Sequence, residues 1–239
     1  MLSIITVSYN SADTITKMMD SITDNCKVEF EHILQDGQSS DDTTEIVAGY
    51  NFTKILSERD SGIYSALNKA IARACGSHIL ILHSDDFLAS AESLSKVVNA
   101  FQDNQSLDVI YTDISMTSRS PVTRSWSPGL IKKQLPAFGK VPPHTGLIVR
   151  KDVYDRIGGF NEEFSISSDW DWMLRLFKDE TIFCAYLPCE VVTMNMGGAS
   201  SHFIASFFED FKIARQYYRF PFFVVVVKKM SKMFQIQIF

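Results

Sequence analysis

Cysteine is scarce and unpatterned in this chain. Its 4 cysteines, Cys26, Cys75, Cys184 and Cys189, form no C-x-x-C pair and have no spaced histidine partner, which argues against a zinc site or a disulfide framework and for free thiols in a reducing compartment. Long apolar runs are also missing. The densest, residues 220–227, contains Pro221 and falls well short of the ~18 residues that a membrane-crossing helix needs. No basic segment followed by an apolar stretch precedes the first strand-like run, so the reading is a cytoplasmic protein. Positive charge is limited: a net charge of −5 is not that of a nucleic-acid binder. Neither G-x-G-x-x-G nor G-x-x-x-x-G-K-[ST] occurs, and the dinucleotide and P-loop readings lose their support with them.

What is present is the composition of an ordinary folded enzyme, 46% hydrophobic and 21% charged over 239 residues, enough for one α/β domain with an appendage. Apolar runs at 2–8, 31–35, 54–57 and 77–83 read as strands, and the amphipathic stretches at 13–25, 42–50, 63–74 and 91–104 read as helices. This alternation predicts βαβ units and a mainly parallel sheet with helices on both faces. A further strand is expected at 108–113. Residues 115–143 are rich in Ser, Thr, Pro and Lys, with Trp126 and Phe138 as isolated anchors, and read as an insertion or a mobile loop over a site. A strand at 146–149 and helices near 151–157 and 169–178 follow.

Charge is unevenly spread. Residues 201–239 carry +4 and eleven aromatics, leaving −9 for the first 200 residues. A basic aromatic segment suits an anionic membrane surface, while Phe207, Phe211 and Tyr218 are equally spaced to pack a helix onto the domain. Both readings are open.

The stretch SERDSGIYSALNKAIARACGSHILILHSDD, residues 57–86, concentrates the chemistry. Asp85 and Asp86 fall where a parallel strand ends, at the sheet edge where open α/β folds bind ligands. Paired carboxylates there fit a hard divalent cation, Mg²⁺ or Mn²⁺, held with substrate phosphates; the alternative is that they only end a strand and open a turn. Tyr9, Asp36, Glu58 and Asp60 follow the first three strands, so several strand ends converge on one polar rim that suits a nucleotide: carboxylates accept from base N–H and ribose hydroxyl groups, and an aromatic face stacks on the base.

The opening SIITVSYNSADTI, the segment LQDGQSSDDTTEI, the run SERDSGIYSALNKAI, the strand end LHSDD and the later SSDWDWMLRL and MGGASS together resemble the successive motifs of family 2 glycosyltransferases with the GT-A fold, over roughly residues 2–200. Within that family the chain is most similar to bacterial enzymes that build surface polysaccharides of the colanic acid and O-antigen type. The resemblance implies that Val7 and Tyr9 line the nucleobase pocket, that Asp36 hydrogen-bonds the base, that Asp60 lies close to the nucleotide and Asp85 near the ribose, and that Asp86 ligates the metal bridging the two phosphates. The family often places Asp or Asn before this Asp-Asp pair, and Ser84 stands there instead, which leaves the second metal ligand open.

Asp169 opens a helix, where capping alone would account for an Asp. The resemblance assigns it the catalytic base, although the family usually has Glu before this Asp and Ser168 occupies that position. Chemically, the acceptor hydroxyl must lose its proton as it attacks the anomeric carbon, and a carboxylate opposite the leaving group can take it. By the same resemblance His144 lines the acceptor side and His202 approaches the diphosphate or metal; each also reads as an ordinary loop histidine. His83 is expected to face the opposite side of its strand from the carboxylates. Trp170 is a candidate sugar-stacking ring, but it and Trp172 are two apart on a helix and cannot share a face, so at least one belongs to the core. Gly197-Gly198 permits a turn or a loop closing over the donor.

The resulting expectation is a metal-dependent inverting glycosyltransferase with a helical C-terminal extension. Residues 1–113 form the nucleotide-sugar half, 114–200 the acceptor and base half, and 201–239 the basic aromatic extension. The donor is a nucleoside-diphosphate sugar, UDP favoured, and the acceptor a saccharide or lipid-linked saccharide, with peripheral membrane contact through the extension and no nucleic-acid partner. The rival readings are a nucleotidyltransferase, which lacks its expected Gly-rich basic phosphate loop here, and a non-catalytic nucleotide-sugar-binding module.

Overall fold

A computed structural model describes residues 1–117, 124–131, 141–195, 203–234 and 237–238. Its first half is a repeating strand–helix chain: β1 (Leu2–Ser8), α1 (Ala12–Asn25), β2 (Phe30–Asp36), α2 (Thr43–Ala48), β3 (Thr53–Ser57), α3 (Ile63–Arg73) and β4 (His78–Ile81). Strands β3, β2, β1 and β4 lie side by side in that order, all parallel. Every residue of β1 is buried, as expected for a strand covered on both faces. The two faces separate with the period of two that a strand imposes. Leu2 and Ile4 join Met18, Met19 and Ile22 of α1, whereas Ile5 and Val7 join Leu67, Ala70 and Ile71 of α3.

The second half changes direction. After the two-residue β5 (Phe87–Leu88) and α4 (Ala91–Asp103), β6 (Val109–Thr117) and β7 (Arg124–Trp126) form an antiparallel pair. Next, β8 (Leu147–Arg150) slots between β4 and β6, antiparallel to both. Helices α5 (Lys151–Ile157) and α6 (Ser168–Lys178) lead to the long β9 (Cys184–Asn195), which runs parallel to β6 and then pairs with β5. Counted by paired residues the sheet is mainly parallel. The expectation of an unstructured stretch over 115–143 needs correction where it is described: β6 continues through Thr117 and β7 follows, because Trp126 has apolar neighbours to pack on. Phe138 lies outside the described residues.

The chain closes with α7 (Phe203–Tyr217), α8 (Pro221–Phe234) and β10 (Gln237–Ile238), the last paired with β7. Ile213, Ala214, Val224 and Val225 of the two helices are buried in the same core as α3 and α6. Each such aliphatic side chain contributes on the order of 1.5–3 kcal/mol, so α7 and α8 are built into the domain. No described helix is long and apolar enough to cross a membrane.

Beneath the rim, His32 is fully buried between the hydroxyls of Thr53 and Thr6, at 2.8 Å and 3.0 Å. Burial pushes its imidazole down to about 3, so it stays neutral and serves as a polar core pin.

Candidate active site

The loops that leave the carboxyl ends of β1 and β2 are laced together. Asn10 and Gln38 both adopt left-handed backbone, with φ of 51° and 63°, a conformation that costs energy for residues other than glycine and recurs at functional sites. The surroundings hold it in place: Asn10 N–H donates to Ser39 Oγ at 2.9 Å, and Asn10 Oδ1 accepts from Ser40 N–H at 2.8 Å. Asp36 sits below as the organising carboxylate. It is fully buried and accepts from Ser8 Oγ (3.0 Å), Ser57 Oγ (2.8 Å), Ser39 N–H (2.9 Å) and Ser39 Oγ (2.5 Å). These donors outweigh the burial penalty and hold its carboxyl below the usual range.

Gly37 lets three loops meet. A Cβ there would fall 2.8 Å from Asp60 Oδ2 and 3.4 Å from Tyr9 Cδ2, so the residue type in Asp36-Gly37 is dictated by close approach. Asp60 Oδ1 in turn accepts from Gly62 N–H at 2.9 Å, and Gly62 has φ 133° at the start of α3, backbone open mainly to glycine. Tyr9 projects outward at 68% exposed, while Val7 is buried beneath it. The structure thus brings Tyr9, Asp36 and Asp60 together, as the strand-end reading expects. Glu58 is drawn elsewhere: Arg73 at 2.6 Å and Lys69 at 3.6 Å engage it.

Ser84 and Asp85 form the turn after β4, and Ser84 donates to Ser11 Oγ across the rim at 3.0 Å. Asp86 follows, 2% exposed. Its Oδ1 accepts from Asn195 N–H of β9 at 2.9 Å, and its Oδ2 has no hydrogen-bond partner among the described residues. Burial, with a smaller push from Asp85, raises its carboxyl to about 8. Asp85 is raised too, by burial. An orphaned, desolvated carboxylate oxygen fits a hard cation. Among the described residues no group of three His, Cys, Asp or Glu could enclose one, so Asp86 would share the ion with phosphate oxygens and water. His202 and Gly197-Gly198 lie outside the described residues.

Asp169 stands in the first turn of α6. Its Oδ1 accepts from its neighbour's N–H at Trp170 (2.8 Å) and lies 3.4 Å from Tyr64 Oη, and its Oδ2 faces His144 Nδ1 at 3.6 Å. His144 begins a short 3₁₀ turn, residues His144–Gly146, ahead of β8, and its Nε2 lies 2.7 Å from His83 Nε2. The expectation that His83 faces away is therefore wrong. Because β8 runs antiparallel to β4, with Leu80 opposite Ile148, the start of β8 lies beside the end of β4. Burial lowers the His83 imidazole to about 3. A neutral His83 that donates from Nε2 leaves the Nδ1–H of His144 pointing at the carboxylate, the tautomer that Asp169 favours.

The two tryptophans correct another expectation. Both are 2% exposed; Lys228 Nζ lies 3.7 Å over the Trp170 ring, and Trp172 Nε1 donates to Gly158 O at 3.0 Å. Trp170 is a core side chain here rather than a sugar-stacking face. Tyr64, which ends the S-G-I-Y run, joins the site without any motif-based expectation; its hydroxyl donates to Ile166 O at 2.8 Å, tying α3 to the segment that carries Asp169.

A parallel sheet whose carboxyl edge gathers several carboxylates, continued by an antiparallel half and closed by C-terminal helices, is the architecture of a GT-A fold. The profile described as "Glycosyl transferase family 2" matches residues 3–158, and the chain belongs to that family. It is similar to a PGL/p-HBAD biosynthesis glycosyltransferase of Mycobacterium bovis, 29% identical over 211 residues that cover 85% of this chain and 80% of that protein. Among solved structures it resembles TarS 1–349 of S. aureus with UDP-GlcNAc, at TM-score 0.70, 19% identity, and coverage of 96% of this chain and 66% of that one. In the same TarS chain solved with UDP the coverage is 90% and 64%, so the chain spans just under two thirds of it. A mannosyltransferase of Pyrobaculum calidifontis solved with GDP-Man and Mn²⁺ also shares the fold, at TM-score 0.67, 17% identity, and coverage of 98% and 70%.

Proposed function

We propose that this chain is an inverting glycosyltransferase that moves a sugar from a nucleoside-diphosphate sugar, UDP favoured, to a hydroxyl of a saccharide or lipid-linked saccharide acceptor in surface polysaccharide synthesis. The observation that carries the reading is a line of contacts from the end of β4 to Asp169: His83, which precedes Ser84-Asp85-Asp86, touches His144, and His144 Nδ1 lies 3.6 Å from Asp169 Oδ2. Asp86 itself carries a buried oxygen with no hydrogen-bond partner among the described residues.

In this reading Tyr9 stacks on the base, and Asp60 and Asp85 flank the nucleotide. Asp36, its own oxygens already taken by Ser8, Ser39 and Ser57, holds the laced loops beneath the base in place instead of bonding the base itself. Asp86 would hold the Mn²⁺ or Mg²⁺, which as a Lewis acid stabilises the charge of the departing diphosphate. Asp169 Oδ2 takes the acceptor hydroxyl's proton as the new bond to the anomeric carbon forms and the bond to the phosphate oxygen breaks. The Trp170 N–H keeps Oδ1 occupied, and His144 steadies Oδ2. One base and one displacement invert the anomeric centre. Residues 1–113 serve the donor and 114–200 the acceptor.

Calorimetric titration with UDP, GDP, CDP and dTDP, each with Mn²⁺ and with EDTA, tests the donor half. Binding selective for one base and lost in EDTA is expected; no binding to any of the four with Mn²⁺ would sink the reading.

Membrane contact rests on the outer face of α7 and α8. Ile204, Phe208, Phe220, Phe222 and Phe223 are 61–73% exposed, and Lys212, Arg215 and Arg219 are exposed among them. Aromatic side chains and cations together fit an anionic bilayer surface. Sedimentation with phosphatidylglycerol vesicles should carry the protein down. Phosphatidylcholine vesicles should not, and a Phe222→Ser/Phe223→Ser variant should bind several-fold less to the anionic ones. Equal binding of wild type and variant would rule this face out.

A further inference from the structure

The helices after residue 200 do more to α6 than pack against it. Glu209 of α7 turns inward, and its carboxylate accepts from three consecutive backbone N–H groups, those of Ser165 (2.9 Å), Ile166 (2.8 Å) and Ser167 (2.9 Å). Ser167 is the N-cap residue of α6, yet no side chain of its own makes a capping bond there. The donors at and before a helix start need acceptors, and a carboxylate is the favoured one at that end of the helix dipole. Asp169 lies two residues beyond the last of them.

Two further contacts bracket the same residue. Tyr217 Oη donates to Asp171 Oδ1 at 2.9 Å. Lys228 of α8 lies over the Trp170 ring and is anchored by Asp210 at 2.5 Å, and Asp169 is among the charges that act on it. Residues 165–167, 170 and 171 are thus each held by α7 or α8, while Asp169 between them is left to face His144.

We propose that α7 and α8 belong to the catalytic apparatus, with Glu209 as a positioning residue that sets the direction in which Asp169 leaves the start of α6. The inference rests on Asp169 being the base. An error of about 1 Å in such a group costs on the order of 100-fold in rate, which is why three charge-assisted bonds at this point bear on turnover as well as on stability.

The test uses the full chain without substrate and reads the His144 ring by NMR, its signals identified by their absence in His144→Gln. The Asp169 carboxylate lies 3.6 Å from Nδ1 and His83 Nε2 2.7 Å from Nε2, so the ring's titration reads the direction in which Asp169 points. Asp169→Asn should lower the midpoint by about one pH unit. Glu209→Gln keeps the side chain's size but replaces one acceptor oxygen with a donor, and it should lower the midpoint by at least about half as much. Tyr217→Phe should move it in the same direction by less. Gln216→Ala, exposed on the same helix, should leave it unchanged. Binding of UDP with Mn²⁺ should stay within about twofold of wild type in all of them, since the donor half is untouched.

A His144 midpoint that moves in Asp169→Asn but stays at the wild-type value in both Glu209→Gln and Tyr217→Phe would overturn the positioning role while leaving the base assignment standing. Undiminished sugar transfer by Asp169→Asn would overturn the base assignment, and the positioning role with it.

Discussion

Asp86→Ala should abolish metal-dependent nucleotide binding and lower kcat/KM by about 1,000-fold, on the scale seen when one preorganised charge-stabilising group is removed. The pH dependence of binding separates this from a packing defect. In the metal-free protein burial holds the Asp86 carboxyl up at about 8, so at pH 6 the group is mostly protonated and must release its proton before it can ligate a cation. The sign follows directly. Affinity for UDP with Mn²⁺ should rise from pH 6 to pH 8 and level off above that, with proton uptake by the buffer on binding. Asp86→Asn has the same size and cannot ionise, so it should bind weakly and keep only the shallower rise that the terminal phosphate of UDP, with its pKa of about 6, contributes by itself. An undiminished, pH-dependent, Mn²⁺-dependent UDP affinity in either variant would show that the cation is held elsewhere.

Asp169→Asn should leave UDP binding within about twofold of wild type while lowering kcat by 100- to 10,000-fold, the range expected for loss of a general base. The amide oxygen can still accept from the Trp170 N–H, which now engages Oδ1, so the fold around it should survive. That split between binding and turnover distinguishes a base from a helix cap: loss of a cap would lower the melting temperature by the equivalent of about 1 kcal/mol and leave kcat nearly intact. It also removes the non-catalytic binding-module reading, since a module has no turnover to lose.

The residues at the carboxyl edge of the parallel strands were legible in the sequence because each placement is local. A parallel strand delivers its last residues to one edge, so Tyr9, Asp36, Asp60 and Asp86 could be placed from the alternation of strands and helices alone. The elements at 2–8, 63–74 and 151–157 were legible for the same reason: their periodicity agrees with their burial. The strand β9 was not, since its twelve residues are largely half-buried and include Pro188, and a run without strict alternation carries little signal.

Side-chain neighbours across the fold were harder to read. His83 looked as though it turned away from the carboxylates, and only the antiparallel insertion of β8 beside β4 places His144 within 2.7 Å of it. Trp170 looked available to a sugar until Lys228, 58 positions later, took its face. Glu209 carried no motif at all; it became notable once α7 laid it against three amides 42 to 44 residues earlier in the chain.

The sequence by itself therefore determined the class of fold, the order of its elements and the carboxylates at the parallel sheet's edge, because those follow from periodicity and from strand direction over a few tens of residues. Tertiary structure alone decided which described carboxylate oxygen lacks a partner, which histidines touch and what holds the start of α6 around Asp169. Those depend on contacts between segments whose separation along the chain leaves no local pattern to read.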